Sequence, residues 1–439
     1  MTATDLETEP GTASPYPARF RGAPERSARL ARALRVIAGV RKPDEDLTSL
    51  IGRRMLERDE LAADLVRAMR ADGARGQTTD RQGTGRQGTD RQGTGRQGTG
   101  SRVTMAQLRK ALEEGIDAVP DPPEALTRFF GVVDQVPDWV DFDLVDQGAR
   151  VIRRMGKVAG DVLLQLSLIG GYRFGGPADL LVATGGLAGA TAMRRLGETE
   201  TWTLSVTTPG AMRRYEDGFK LTVHVRLMHA LINDRFERGG RWDTDRWGLP
   251  ISQADLAGTL GLFSGALLIG ARALGWLVTP QDSRAVMHLW KYAGWLMGVN
   301  EDWLFDTERQ QNLLNYHILR CQDGQTPAGG ALSAAIVDGE RGLDRGPLRS
   351  WYAHVRLLSL LRYLLGRESM RDLGLPVTLP WVVPFVAARN LGLSAIGLTA
   401  PGRRYLDRVA GRHRRARRRL LFGDDAPAVG PLPVPSGQD

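Results

Sequence analysis

The 439-residue chain contains a single cysteine, Cys321. One thiol excludes an internal disulfide, a zinc site built from three or four thiolates and a cysteine-ligated iron–sulfur cluster. Histidine is scarce too: the six residues, at positions 224, 229, 288, 317, 354 and 413, form no HExxH, HxxxH or ExxH spacing. The local signatures of a zinc protease and of a di-iron helical bundle are therefore absent. GxGxxG occurs only as GTGRQG inside the repeat at 81–100, with no parallel βαβ alternation around it, and a phosphate-binding P-loop and the GxSxG nucleophile elbow are missing, which removes sequence support for dinucleotide folds, nucleotide folds and that type of serine hydrolase. The N-terminal stretch MTATDLETEPGTASPYPARF has no basic segment leading into an apolar one and no twin-arginine signal, so the expected location is cytoplasmic.

With 42% hydrophobic and 25% charged residues, the composition is that of a folded soluble protein. The net charge of +9 resembles a nucleic-acid signal until it is located. Residues 403–419, RRYLDRVAGRHRRARRR, carry nine arginines and one aspartate, a net of +8 that leaves only +1 for the rest of the chain. The basic character belongs to one C-terminal helix or tail, expected to be solvated. Only Tyr405 is aromatic within it, so no specific nucleic-acid partner is expected, and weak contact with an anionic membrane is the alternative. Two apolar runs, 256–278 and 375–400, are long enough to span a bilayer. Each encloses an arginine (Arg272, Arg389) and several Gly or Pro, which predicts buried helices of a large all-α core.

Residues 81–100 repeat RQGTG and RQGTD with no large apolar side chain, so this stretch cannot bury enough surface to offset its ordering entropy. It reads as a flexible insertion. Ahead of it, Leu47, Leu50, Ile51, Met55, Leu61, Leu65 and Met69 recur at three- and four-residue spacings, predicting an amphipathic helical arm over 46–72. Behind it the helical pattern continues almost unbroken. One exception is TWTLSVTT (201–208), where Trp202, Leu204 and Val206 alternate with polar residues as in a short strand or irregular link. The expected organisation is an N-terminal segment (1–75), a linker (76–101), an all-α domain (102–425) and a disordered tail (426–439).

The stretch GFKLTVHVRLMHALIND (218–234) is helical in pattern yet places His224, Arg226 and His229 among its apolar residues. A haem needs only one protein ligand, because the macrocycle fills four positions of the iron. His229 projects from a partly apolar face with Arg226 one turn earlier, an arrangement that suits a porphyrin wall and a propionate. His224 lies about 140° round the helix and cannot share that iron. On spacing alone, a core histidine bonded to a carbonyl stays open as the alternative.

Further motifs occur in order: VPDWVDFDLVDQGARVIRRMG, YRFGGPADLLVATGGLAGATAMRRLGETETW, VTTPGAMRRYEDGFKLTVHVRLMHALIND, RWDTDRWGLPISQADLAGTLGLFSGALLIGARALGW and HLWKYAGWLMGVNEDW. Together, over about 120–320, they resemble the latex-clearing protein (rubber oxygenase) and MpaB-type oxygenase superfamily. The resemblance implies an all-α, globin-reminiscent domain enclosing haem b, in which O2 is used to oxidise or cleave a C=C bond of an isoprenoid or similar lipophilic substrate. It places the proximal iron ligand at His229, the haem-side arginine and threonine at Arg195 and Thr199, and the acidic residue at Asp179. Arg226 is expected to pair with the porphyrin carboxylates. Where rubber oxygenases can carry a lysine, this chain has Glu198, and Asp179 stands where the rubber-cleaving members have glutamate. These departures, with the missing export signal, favour a substrate smaller than rubber. Alternatives are a haem oxidase or peroxygenase on a specialised metabolite, and a haem-binding protein without enzymatic activity.

Overall fold

The computed structural model describes residues 14–70, 102–185, 189–343, 345–422 and 432. The repeat at 81–100 and the 426–439 tail, Leu432 apart, lie outside the described residues. Among the described residues there is no strand, so the all-α expectation holds. The chain opens with α1 (Pro24–Leu30), α2 (Arg32–Ile37), α3 (Glu45–Arg54), α4 (Glu60–Arg70), α5 (Met105–Glu114) and α6 (Glu124–Val133). The middle holds α7 (Phe142–Met155), α8 (Lys157–Val162), α9 (Pro177–Ala183), α10 (Gly189–Val206), α11 (Asp217–Gly239), α12 (Thr244–Trp247), α13 (Gln253–Phe263) and α14 (Gly265–Ala273). It closes with α15 (Pro280–Leu296), α16 (Glu308–Arg320), α17 (Pro327–Gly342), α18 (Pro347–Asp372), α19 (Val383–Ile396) and α20 (Ala400–Phe422).

Helix starts fall where short polar side chains satisfy the first free N–H groups. Asp44, Asp141 and Ser252 accept from backbone amides of α3, α7 and α13. Thr104 with Gln107, and Thr279 with Asp282, form reciprocal capping boxes. The closest crossing is α7 on α15, where Gly148 meets Ala285; a Cβ at 148 would lie 2.3 Å from the Ala285 carbonyl oxygen. Between α8 and the Gly170 turn, Leu163–Ile169 winds as a π-helix. This wider coil is a known mark of functional segments in helical proteins.

Four expectations change. The stretch 201–206 is the last part of α10, not a strand. Its threonines satisfy their hydroxyls within the helix, Thr201 and Thr203 donating to the carbonyls of Gly197 and Thr199 four residues back, so β-branching is no obstacle. The 46–72 arm is two helices, α3 and α4, and both belong to the core: Ile51, Met55 and Leu65 are fully buried in the cluster that holds Phe129, Phe130 and Trp290. Of the two apolar runs, the first falls in the helical stretch 253–273, which is mostly buried, but α19 shows one face to the outside, with Phe385 70% and Leu391 49% exposed. Finally, the arginine-rich segment is a docked helix. Leu406 and Ala410 of α20 are buried, Arg154 pairs with Asp407 at 2.9 Å, and Arg417 bridges Glu200 of α10 and Glu340 of α17.

Candidate functional site

Helix α11 carries the polar residues that the sequence left in question, and two of them are anchors. Arg226, 6% exposed, donates from Nε and Nη2 to Asp59, the residue just before α4, at 2.5 and 2.8 Å. Two turns later Asn233 clamps the backbone of Ile251, donating to its carbonyl at 2.9 Å and accepting from its N–H at 2.8 Å. His229 stands between them, three residues after one anchor and four before the other, so its direction is fixed from both sides.

The imidazole separates two cavities. A small one of about 240 Å³ contains the Arg226–Asp59 pair. The other, about 1560 Å³, exceeds the ~300–1,000 Å³ of ordinary ligand pockets. It is mainly apolar, and α11 presents Val225, Met228, His229 and Ile232 to it. Nδ1 of His229 has no hydrogen-bond partner. Burial pushes the ring's pKa down to about 4, Asp59 offsetting only part of the effect, so the imidazole is neutral at pH 7 with a free lone pair. What surface the ring retains borders the cavities. An aromatic corner adjoins it: Trp202, Phe263 and Trp290 sit 5.0 to 5.8 Å apart between ring centroids, and Nε1 of Trp290 lacks a partner. The π-helical segment contributes Leu164, Gln165 and Leu166 to the same wall.

The other predicted residues divide. Arg195 and Thr199 line the large cavity with His229; Asp179 and Arg226 do not. Arg195 donates to the carbonyls of Leu181 and Thr184 at 3.3 and 3.0 Å, closing the C-terminal end of α9, and burial lowers its pKa. Asp179 closes the opposite end, its Oδ2 accepting from Gly176 N at 3.0 Å and from the Thr326 hydroxyl at 2.9 Å. Two residues expected in the chemistry thus brace one short helix. Thr199 donates to its own backbone at Arg195 O, 3.0 Å away. Arg226, expected to pair with porphyrin carboxylates, is paired with Asp59 in this structure. The sequence reading found no use for Asp59, 167 positions away, and treated Glu198 only as a missing lysine. Glu198 in fact lines the cavity beside Thr199, with one loose partner, Arg194, at 3.9 Å.

His224 is half-buried and has interactions of its own. His317 and His288 are structural, each accepting a backbone N–H at 2.9 Å, from Asp44 and Asp141. Among the described residues no three His, Cys, Asp or Glu side chains cluster as a metal site. The only iron chemistry that fits is one in which a single histidine suffices. His229 fits that demand: neutral, sterically fixed, with its ring lining a large, mainly apolar cavity and its packed Nδ1 unpartnered.

An all-helical oxygenase-type scaffold around such a cavity matches known proteins. The fold matches a solved latex clearing protein in its closed state, with a TM-score of 0.52 and 20% identity over 70% of this chain and 83% of that one. Residues 156–393, more than half of the chain, match the family model described as "ER-bound oxygenase mpaB/B'/Rubber oxygenase, catalytic domain", and the chain belongs to this family. A curated relative, the rubber oxygenase of Streptomyces sp. (strain K30), is 24% identical over 261 residues, which are 58% of this chain and 61% of the relative's length.

Proposed function

We propose that the protein is a haem b-dependent oxygenase that uses O2 to oxidise or cleave a C=C bond of an isoprenoid or similar lipophilic substrate. The observation that carries this reading is His229: a buried neutral imidazole with an unpartnered nitrogen, in the wall of a cavity of about 1560 Å³. His229 would hold the iron. Haem bound there would supply the activation of dioxygen, which no side chain of the chain can provide. Trp202, Phe263, Trp290 and the leucines of the π-helical segment exclude water and receive an apolar chain. Thr199 and Arg195 are donors in the lining of the same cavity, and Arg195 would first have to release the α9 carbonyls. Glu198, loosely held and facing the cavity, is better placed than Asp179 to hold or move a substrate proton.

The commitment of Asp179 and Arg195 to the ends of α9 favours a second reading, a haem oxidase or peroxygenase that works without a carboxylate base at 179. Two measurements separate the readings. Protein purified from cells supplied with a haem precursor should show a Soret band that His229→Ala loses; a wild type without the band ends both readings. Incubation with isoprenoid chains under 18O2 should give two carbonyl fragments, each labelled, for C=C cleavage, and a singly labelled or unlabelled oxidised product for the alternative.

A further inference from the structure

The large cavity has a second wall, away from α11, and its charges do not balance. Where the end of α7, α8, α17, α18 and α20 meet α10, three carboxylates neutralise three guanidiniums. Arg356 is held at both nitrogens by Asp161, while Arg345 and Arg417 share Glu340 and Arg417 also takes Glu200. Burial alone would lower the pKa of Arg356 and of Arg417, and the carboxylates reverse this in both.

Three cations lining the same wall remain. Among the described residues Lys157, exposed toward this space, makes no hydrogen bond or ion pair; desolvation, with Arg356 next, lowers its pKa, and Asp161 offsets part of this. Nε of Arg153 is buried without a partner. Arg414 donates only to neutral oxygens, Leu204 O and the Thr208 hydroxyl, and burial with the Arg153 charge pushes its pKa down to about 10. The three are neighbours: Arg153 and Lys157 flank the Gly156 turn between α7 and α8, Arg153 acts on Arg414, and Lys157 acts on His413 next to Arg414. Arg153 and Arg414 are half-buried and Lys157 is exposed, so an anion can reach all three, and their mutual repulsion is relieved when it does. The lining beyond it, Leu163, Leu164, Leu357 and Leu364 among others, is apolar.

We infer that this wall is a subsite for the anionic head, a carboxylate or phosphate, of an amphiphilic ligand whose apolar tail occupies the rest of the cavity. The inference rests on the lipophilic-substrate reading above and narrows it: the substrate is an isoprenoid acid or phosphate, not a neutral hydrocarbon. Lys157, Arg153 and Arg414 recognise the head by charge-assisted hydrogen bonds, and position the chain without taking part in the chemistry.

The test is binding, measured on the full-length protein by quenching of tryptophan fluorescence, since Trp202 and Trp290 line the cavity. The probes are a C15 isoprenoid carboxylic acid and its methyl ester. At pH 7.5 and low salt the acid should bind at least ~10-fold more tightly than the ester, the advantage shrinking in high salt. Lys157→Met, and more fully the double variant with Arg153→Met, should remove the advantage and leave the ester's Kd unchanged; Lys157→Arg should keep it. Equal binding of acid and ester, absence of binding by both, or an advantage that survives the double variant would each overturn the subsite. Inorganic phosphate that competes as well as the C15 acid would also overturn it, by showing a site for free anions. If the double variant loses its Soret band while keeping the acid preference, the cations serve the cofactor's carboxylates and the inference fails. His229→Ala keeps the comparison independent of haem: an acid preference retained there supports the subsite whether or not the oxygenase reading stands.

Discussion

Behind His229, in the small cavity, Asp59 takes Arg226, and the side that α11 turns to the large cavity, Val225, Met228, His229 and Ile232, carries no net charge at pH 7. In another part of the lining Arg356 is answered by Asp161, while among the described residues Lys157, Arg153 and Arg414 face the same space without an ion pair of their own. The difference is one of division of labour. A neutral, rigid wall suits an iron ligand and an apolar chain, because no ion has to be desolvated there when either binds. A wall with surplus charge is costly on its own and becomes favourable only when an anion enters.

The largest break in that comparison is His229→Ala, which should abolish haem retention, read as the Soret band per mole of protein, while the far-UV spectrum stays helical. Next, Asp161→Asn strands Arg356, a 7% exposed guanidinium, without its counter-charge. Loss of about 3–5 kcal/mol in urea unfolding is expected from removing one partner of a buried pair. A third effect depends on pH. His229 has a folded pKa of about 4 against 6.5 for the ordinary group, so between these values the unfolded chain binds a proton that the folded one does not. Stability is therefore full above pH 6.5 and falls as pH drops toward 4, by about 3 kcal/mol from this residue. In haem-free protein, His229→Gln should flatten that slope; an unchanged slope would mean that the imidazole is not desolvated. The smallest effect is Thr199→Val, below about 0.5 kcal/mol in stability, since its hydroxyl is exposed and bonds its own backbone. A large loss of turnover with that small loss of stability would place Thr199 at the reacting oxygen.

Much of the architecture was legible in the chain. Apolar residues at three- and four-residue spacings marked the helices, and polar caps such as Thr279–Asp282 marked their starts. The TWTLSVTT stretch misled because alternation of Trp202, Leu204 and Val206 also fits a helix whose neighbours bury several faces. The run 375–400 misled for the converse reason. Its composition is that of a core helix, but only Val383, Val386, Asn390 and Ser394 turn inward, and Asn390 ties that face to the Leu274 carbonyl.

The site was legible to a lesser degree. His229 stood out as one polar residue on an apolar helix, and the family motifs gave it a role. Arg226, Asp179 and Arg195 were given roles at the haem by the family motifs, but their actual partners, Asp59 and the two ends of α9, were not legible. Asp59, Lys157 and Arg153 carried no signal, because each looks like an ordinary solvated charge and gains meaning only from a partner on another helix or from the lack of one.

The sequence alone determined that the protein is all-helical, where the helices begin, which histidine is out of place, and that the net charge is concentrated in one terminal segment. Helical periodicity fixes the direction of a side chain relative to its own axis, and nothing more. Only the tertiary structure decided what each direction meets. It sent Arg226 to Asp59 across 167 residues, spent Asp179 and Arg195 on the two ends of α9, and docked the basic helix through Arg417. It also left Lys157, Arg153 and Arg414 facing a cavity, since the pairing of buried charges is settled by which helices pack together.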